Sequence, residues 1–156
     1  MKVIFLDIDG VLNNASTTDS VFGCVGLDDV LIKRLKKIVA ATSAEIYLVS
    51  TWKDRWFKDA DKKKFQDIFA DHLDATFYEH GLKVADKLEN EDVNPDARGK
   101  LIKEFLKTRE VQSFVILDDV EFDYFYEHLE KNFIQTDSTF GLTEEDVKKA
   151  IKILEK

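Results

Sequence analysis

Four apolar runs, each closed by polar residues, predict the strands of this chain. Val3-Ile4-Phe5-Leu6 stops at Asp7-Ile8-Asp9-Gly10, and Ile46-Tyr47-Leu48-Val49 stops at Ser50-Thr51. Ser113 to Leu117 stops at Asp118-Asp119, and Phe133-Ile134-Gln135-Thr136 is a shorter fourth run. Hydrophobicity that is continuous over so few residues marks a strand buried on both faces. Between the runs the apolar spacing becomes helical. Leu31, Ile32, Leu35, Ile38 and Val39 follow Asp28 or Asp29, either of which can cap a helix. Leu101, Ile102, Phe105 and Leu106 follow Asn94-Pro95, which reads as a cap and first helical position, in a helix expected to end near Thr108. Val147, Ala150, Ile151 and Leu154 follow Thr143, a predicted N-cap with Asp146 three residues on. Residues 13–27 are rich in Ser, Thr, Asn and Gly without periodicity and are expected to form a loop. From Trp52 to Asn94 the pattern is mixed: a charged, predicted helical segment carries Trp56, Phe65, Ile68 and Phe69, and periodicity leaves the rest unresolved.

Strands alternating with helices imply the α/β class, here a three-layer α/β/α sandwich around a mostly parallel, doubly wound sheet. In such a sheet, ligands bind beyond the carboxyl ends of the strands, at the switch in strand order. Three of the predicted strands end in Asp7, Ser50 and Asp118-Asp119, so these distant positions are expected to converge there.

Composition narrows the field. The 156 residues fit a single domain, 1–156, and 44% hydrophobic residues suffice for a core. Thirty-one acidic against 23 basic residues give a net charge of -8, the wrong sign for a protein living on non-specific phosphate contacts, so any nucleic-acid contact must be local. Cys24 is the only cysteine, which excludes an intramolecular disulfide and zinc sites needing two thiolates. The apolar stretch at residues 3–6 is too short for a signal peptide or a membrane span. The expectation is a cytoplasmic monomer with no membrane partner.

Asp7 and Asp9 lie two apart, so their side chains share one side if the extended chain persists past Leu6; Gly10 then permits a sharp turn. With Asp118-Asp119 they make at least three crowded negative charges, which a divalent cation neutralises. All-oxygen donors favour Mg²⁺, held by carboxylates, water and a substrate phosphate. Beside such an ion one carboxylate can attack phosphorus to form an aspartyl phosphate, and a second can protonate the leaving oxygen and then activate water.

These motifs resemble the haloacid dehalogenase (HAD) superfamily, in the expected order across the whole chain. Phe5-Leu6-Asp7-Ile8-Asp9-Gly10-Val11 resembles its first motif, which implies Asp7 as nucleophile, Asp9 as general acid and base, and the Asp9 backbone carbonyl on Mg²⁺. The second Asp of that motif favours the phosphatases of the superfamily. Tyr47-Leu48-Val49-Ser50 resembles the second motif, so Ser50, with Thr51 as the fallback, would bind a phosphoryl oxygen. Val115-Ile116-Leu117-Asp118-Asp119 resembles the fourth. It implies Asp119 as a metal ligand, while Asp118 and Asp123 would bind metal through water or orient the site. For the third, basic motif two residues compete, Arg98 in Arg98-Gly99 and Lys100. They lie about 200° apart around a helix, so only one can face the phosphate. Gly10 and Arg98 complete the expected substrate contacts.

Within the superfamily, the start Leu6 to Asn13, Val49-Ser50-Thr51-Trp52-Lys53, Arg98-Gly99, Ile116 to Asp119, Gln135-Thr136-Asp137 and Gly141-Leu142-Thr143 resemble the HAD domain of the Swiss Army Knife RNA repair proteins. That resemblance implies a phosphorylated substrate at a nucleotide or RNA end, by analogy with polynucleotide 3'-phosphatases. The spaces between motifs leave room for a minimal cap or none, and an open site admits a bulky substrate. Trp52 and Trp56 lie four apart and read either as core or as a base-stacking platform. Lys53, Arg55, Lys58 and Lys62 to Lys64 read either as a solvated helix face or as a steering patch. The rival reading is a non-catalytic phosphate or nucleotide-binding protein of the same fold; phosphotransfer to an acceptor other than water is a second rival.

Overall fold

The computed structural model describes residues 1–94 and 96–156; Pro95, expected as a first helical position, lies outside the described residues. The chain runs through β1 (Lys2–Leu6), the hairpin strands β2 (Ser20–Val21) and β3 (Cys24–Val25), α1 (Asp29–Thr42) and β4 (Glu45–Leu48). Two 3₁₀ turns, Thr51–Arg55 and Lys63–Phe65, lead to α2 (Ile68–Glu79) and β5 (Val84–Lys87). Then come α3 (Arg98–Thr108), β6 (Ser113–Asp118), a 3₁₀ turn at Glu130–Asn132, β7 (Phe133–Gln135) and α4 (Glu144–Leu154).

The main sheet has five strands in the order β5-β4-β1-β6-β7, every neighbouring pair parallel. Strand order therefore reverses beside β1: the chain first builds outward through β4 and β5, then returns to place β6 on the other side. Side-chain alternation sorts the strands between two cores. Ile4, Leu6, Ile46, Leu48, Val115 and Leu117 pack with α1, α2 and α4. Val3, Phe5, Tyr47 and Ile116 pack with Leu101 and Ile102 of α3 and with Tyr124. Both faces are covered, which is why these strands read as unbroken apolar runs and why the α/β/α sandwich is the architecture observed.

Asp28, the first of the two candidates, caps α1 by accepting from the amides of Val30 at 2.9 Å and Leu31 at 3.3 Å. Thr143 and Asp146 form a reciprocal capping box on α4. Two expectations need correction. Residues 13–27 are not wholly loop, because Phe22 and Gly23, both at positive φ (48° and 76°), turn the chain into the β2–β3 hairpin. The helix expected from Asn94-Pro95 starts instead at Arg98; Asn94 spends its side chain on the Asp96 amide at 3.0 Å and its carbonyl on Ala97 at 2.9 Å, closing a turn ahead of the helix. Among the described residues no helix is long and apolar enough to cross a membrane.

Candidate active site

Leu6 pairs with Leu117 across the β1–β6 junction, and the Asp7 amide donates to the Leu117 carbonyl at 2.9 Å. The ends of β1 and β6 thus leave the sheet side by side at its switch point, and their acidic residues follow. Carboxylate oxygens of Asp7, Asp118 and Asp119 lie within 4.8 Å of one another. Asp7 and Asp118 are buried and Asp119 half-buried.

One cation enters this cluster. Arg98 is 6% exposed, and its Nη1 lies 3.0 Å from Asp7 Oδ1 and 2.7 Å from Asp118 Oδ2. Its guanidinium also rests 4.1 Å from the centre of the Phe122 ring, a cation–π contact. Burial works against the Arg98 charge, but Asp7 and Asp118 more than offset it and raise its pKa. Asp118 is held on all sides: Oδ2 also accepts from the Tyr124 hydroxyl at 2.6 Å, and Oδ1 from the Val120 amide at 3.1 Å. Burial, then Asp118, drive the Tyr124 phenol far up, so it remains a donor.

Asp7 is pushed up to about 7, first by burial and next by Asp118, with Arg98 opposing and Asp119 adding. Asp119 is also raised, by burial and then by Asp118. These shifts describe a pocket short of positive charge. The donors are hard oxygens without nitrogen or sulfur, the set that suits Mg²⁺. Asp118 already accepts from Arg98, Tyr124 and Val120, so Asp7 and Asp119 are the less committed carboxylates of the three for holding the ion directly.

Asp9 does not join this group. The strand ends at Leu6, and Ile8 accepts from the amides of Val11 and Leu12 at 3.1 and 2.8 Å, so the chain turns directly after Ile8 and Asp9 falls outside the three carboxylates that lie within 4.8 Å of one another. The exposed Asp9 is held by Asn13 Nδ2 on Oδ1 at 2.9 Å and by Trp52 Nε1 on Oδ2 at 3.1 Å. Gly10 is likewise committed: its amide donates to Asn13 Oδ1 at 2.9 Å and its carbonyl accepts from Thr136 Oγ1 at 2.7 Å. It shapes the turn, at φ 81°, rather than offering a free group to a substrate.

The structure separates Arg98 from Lys100. Arg98 faces the carboxylates, whereas Lys100 is exposed on the opposite side of α3. Asp123 accepts from the amides of Gly99 at 2.6 Å and Lys100 at 3.0 Å, so its carboxylate caps α3 and fixes the helix that carries Arg98. It orients the site and stands outside the carboxylate cluster. Ser50, 1% exposed, lies two residues beyond the end of β4 and caps the first 3₁₀ turn through the Trp52 amide at 3.2 Å; Thr51, its fallback, is exposed.

The aromatic and basic residues that follow divide similarly. Trp56 is core, its indole donating to Asp74 at 2.9 Å, while Trp52 stands edge-to-face with Phe69. Lys58 and Lys63 pair with Asp86 and Asp74. Lys53 is buried, a residue that sequence pattern alone places on a solvated face; only its spacing from Ser50 could have singled it out.

The family model described as the HAD domain in Swiss Army Knife RNA repair proteins matches residues 3–147. No curated protein and no solved structure matches the chain. The chain belongs to that HAD domain family.

Proposed function

We propose that this HAD domain is a Mg²⁺-dependent phosphohydrolase that cleaves phosphate monoesters through an aspartyl phosphate on Asp7, at nucleotide or RNA 3'-phosphate ends. The observation that carries the reading is Asp7 itself, buried at the switch point between Arg98 and the carboxylates of Asp118 and Asp119. Family membership supports the substrate class.

Asp7 and Asp119 would hold Mg²⁺, which supplies positive charge to the crowded carboxylates and to the phosphoryl oxygens. An Asp7 oxygen attacks phosphorus and the ester oxygen leaves with the proton that Asp9 delivers; Asp9 then takes a proton from the water that cleaves the acyl phosphate. Ser50 already accepts the Trp52 amide through Oγ, so its own O–H is left to donate to a phosphoryl oxygen. Arg98 orients Asp7 and offers its remaining N–H groups as a planar fork. We read residues 1–156 as one domain acting as a cytoplasmic monomer.

The test is hydrolysis of a panel of phosphate esters with Mg²⁺, including 3'-phosphorylated oligonucleotides, by wild type and Asp7→Asn. The variant should lose hydrolysis and the acid-stable phosphoenzyme trapped by rapid quenching. Retention of Mg²⁺-dependent hydrolysis by Asp7→Asn overturns the mechanism. Equal turnover of unrelated sugar phosphates overturns the substrate class.

A further inference from the structure

Both oxygens of the Asp9 carboxylate are tied, by separate routes, to α2. The route to Oδ2 is short: the Trp52 indole donates to it at 3.1 Å, and Phe69, in the first turn of α2, stands edge-to-face with that indole. The route to Oδ1 begins at Asn13, which is 5% exposed. Its Nδ2 donates to Asp9 Oδ1 and to the Gly26 carbonyl, each at 2.9 Å, and its Oδ1 accepts the Gly10 amide at 2.9 Å. Both N–H bonds and the oxygen are thus used, which fixes the orientation of the side-chain amide and makes it follow Gly26.

Gly26 directly follows the β2–β3 hairpin. Two strands of two residues each do not hold themselves in water, so the hairpin sits where its ties to the rest of the chain put it. Asp19 gathers those ties. Its carbonyl accepts the Gly26 amide at 2.9 Å, and its Oδ2 accepts both the Leu27 amide at 2.9 Å and His72 Nε2 at 2.7 Å. A Cβ on Gly26 would overlap Asp19 Oδ2, so this carboxylate lies against the very residue whose carbonyl holds Asn13. His72 is on α2, three residues after Phe69 and on the same face of the helix. One helix face therefore reaches Asp9 Oδ2 through Trp52, and Oδ1 through Asp19, Gly26 and Asn13.

We propose that Asn13 and His72 are positioning residues for Asp9: His72 fixes the hairpin on α2 through Asp19, and Asn13 passes that placement to the carboxylate. The assignment rests on the phosphohydrolase reading above, in which Asp9 is acid and base, and adds to it two residues outside the carboxylate cluster.

The experiment measures kcat/KM with Mg²⁺ on an alkyl phosphate and on p-nitrophenyl phosphate, whose leaving group needs no proton. In His72→Ala the alkyl-to-aryl ratio of kcat/KM should fall by about threefold or more, because a displaced acid costs only the substrate that needs its proton. His72→Gln, whose side-chain nitrogen can stand in for Nε2, should restore most of the ratio. His80→Ala is the control for a merely structural role: it removes a comparable contact, His80 Nε2 to Asp29 Oδ1 at 2.7 Å, at the other end of the same helix. It should lower the melting temperature and leave the ratio unchanged. Asn13→Ala should lower the ratio as well, and adding His72→Ala to it should cost nothing more, since His72 acts through Asn13. A smaller fall in His72→Ala, an equal fall in His80→Ala or additive losses in the double variant overturn the proposal. A second measurement needs no Asn13 variant to fold: in the nitrogen-labelled, metal-free protein, the Asn13 side-chain amide resonances should move in His72→Ala, and unmoved resonances overturn the proposal too. Wild type without any Asp7-dependent hydrolysis would remove the hydrolase reading, and the Asn13 resonances would then decide whether His72 places the amide on Asp9. Asp7-dependent hydrolysis with a ratio indifferent to His72 would keep that reading and remove the positioning role.

Discussion

Trp52 donates its indole N–H to Asp9 Oδ2 at 3.1 Å, although 43 residues separate the two. With Asn13 on the other oxygen at 2.9 Å, the carboxylate assigned as acid and base is clamped at both ends before substrate arrives. Trp52 in turn is braced edge-to-face by Phe69 of α2, with ring centres 5.5 Å apart. Trp52→Phe keeps the packing and removes the donor. Its kcat/KM, which reports the first phosphoryl transfer and not the shared hydrolysis of the acyl phosphate, should fall by about tenfold on alkyl phosphates, the worth of one hydrogen bond to a charged group, and stay nearly unchanged on p-nitrophenyl phosphate, whose leaving group needs no proton. Equal losses of kcat/KM on both substrates would show that Trp52 does not act through Asp9 as the acid.

Arg98 and Lys100 are indistinguishable by type and spacing in the sequence, and burial divides them. Arg98→Ala leaves Asp7 and Asp118 buried without their cation and should cost about 3 to 5 kcal/mol in urea unfolding without metal, along with activity. Lys100→Ala removes an exposed charge and should leave stability within about 0.5 kcal/mol and turnover unchanged. A loss of turnover in Lys100→Ala with an intact Arg98 would reverse the assignment.

The contrast shows what the sequence makes legible. β1, β4 and β6 announce themselves because both faces are covered, and the acidic residues at the ends of β1 and β6 meet because those two strands are parallel neighbours. β5 passes unnoticed since Val84–Lys87 is half-buried at the sheet edge and ends in Asp86-Lys87. The segment before it hides for another reason: two 3₁₀ turns impose a period of three on too few residues to register. The start of α3 is misread because its cap, Asp123, comes from 24 residues away, and no local pattern reports that. The period-two argument that sets Asp9 beside Asp7 requires an extended chain past Leu6, where β1 ends. Lys53 is hidden because burial of a lysine depends on a turn whose type the sequence does not declare.

The raised Asp7 also fixes how stability varies with pH. Its folded pKa, about 7, exceeds its ordinary 3.8, so between those values the folded state binds the extra proton. Stability of the metal-free protein should therefore fall as pH rises from about 4 to about 7 and level off above, with Asp119 acting in the same direction. Asp19, lowered chiefly by the Leu27 amide, and Glu144, lowered chiefly by Lys37, lose their contributions only at more acid pH. Mg²⁺ should raise the melting temperature, more at pH 8 than at pH 5, where Asp7 is protonated. Thermal melts across this range with and without Mg²⁺ check it. A metal-free melting temperature that climbs from pH 5 to 7 contradicts the account.

Gly10 offers a way to disturb the metal ligands without touching a carboxylate. Its φ of 81° strains any other residue, at about 1 to 2 kcal/mol. The larger effect is steric: a Cβ at this position would stand 2.8 Å from Asp119 Cβ and closer still to the Asp119 carboxylate. That carboxylate must move, since the turn is tied at both ends, by Asn13 on the amide and Thr136 on the carbonyl. Gly10→Ala should therefore fold with reduced stability and bind Mg²⁺ about tenfold more weakly, by calorimetry, approaching Asp119→Asn. An Asp119→Asn background should absorb the effect, because the displaced group is already compromised. If Gly10→Ala lowers the melting temperature while Mg²⁺ affinity stays at the wild-type value, Asp119 is not a direct ligand, and the ion must be held by Asp7 with other oxygens.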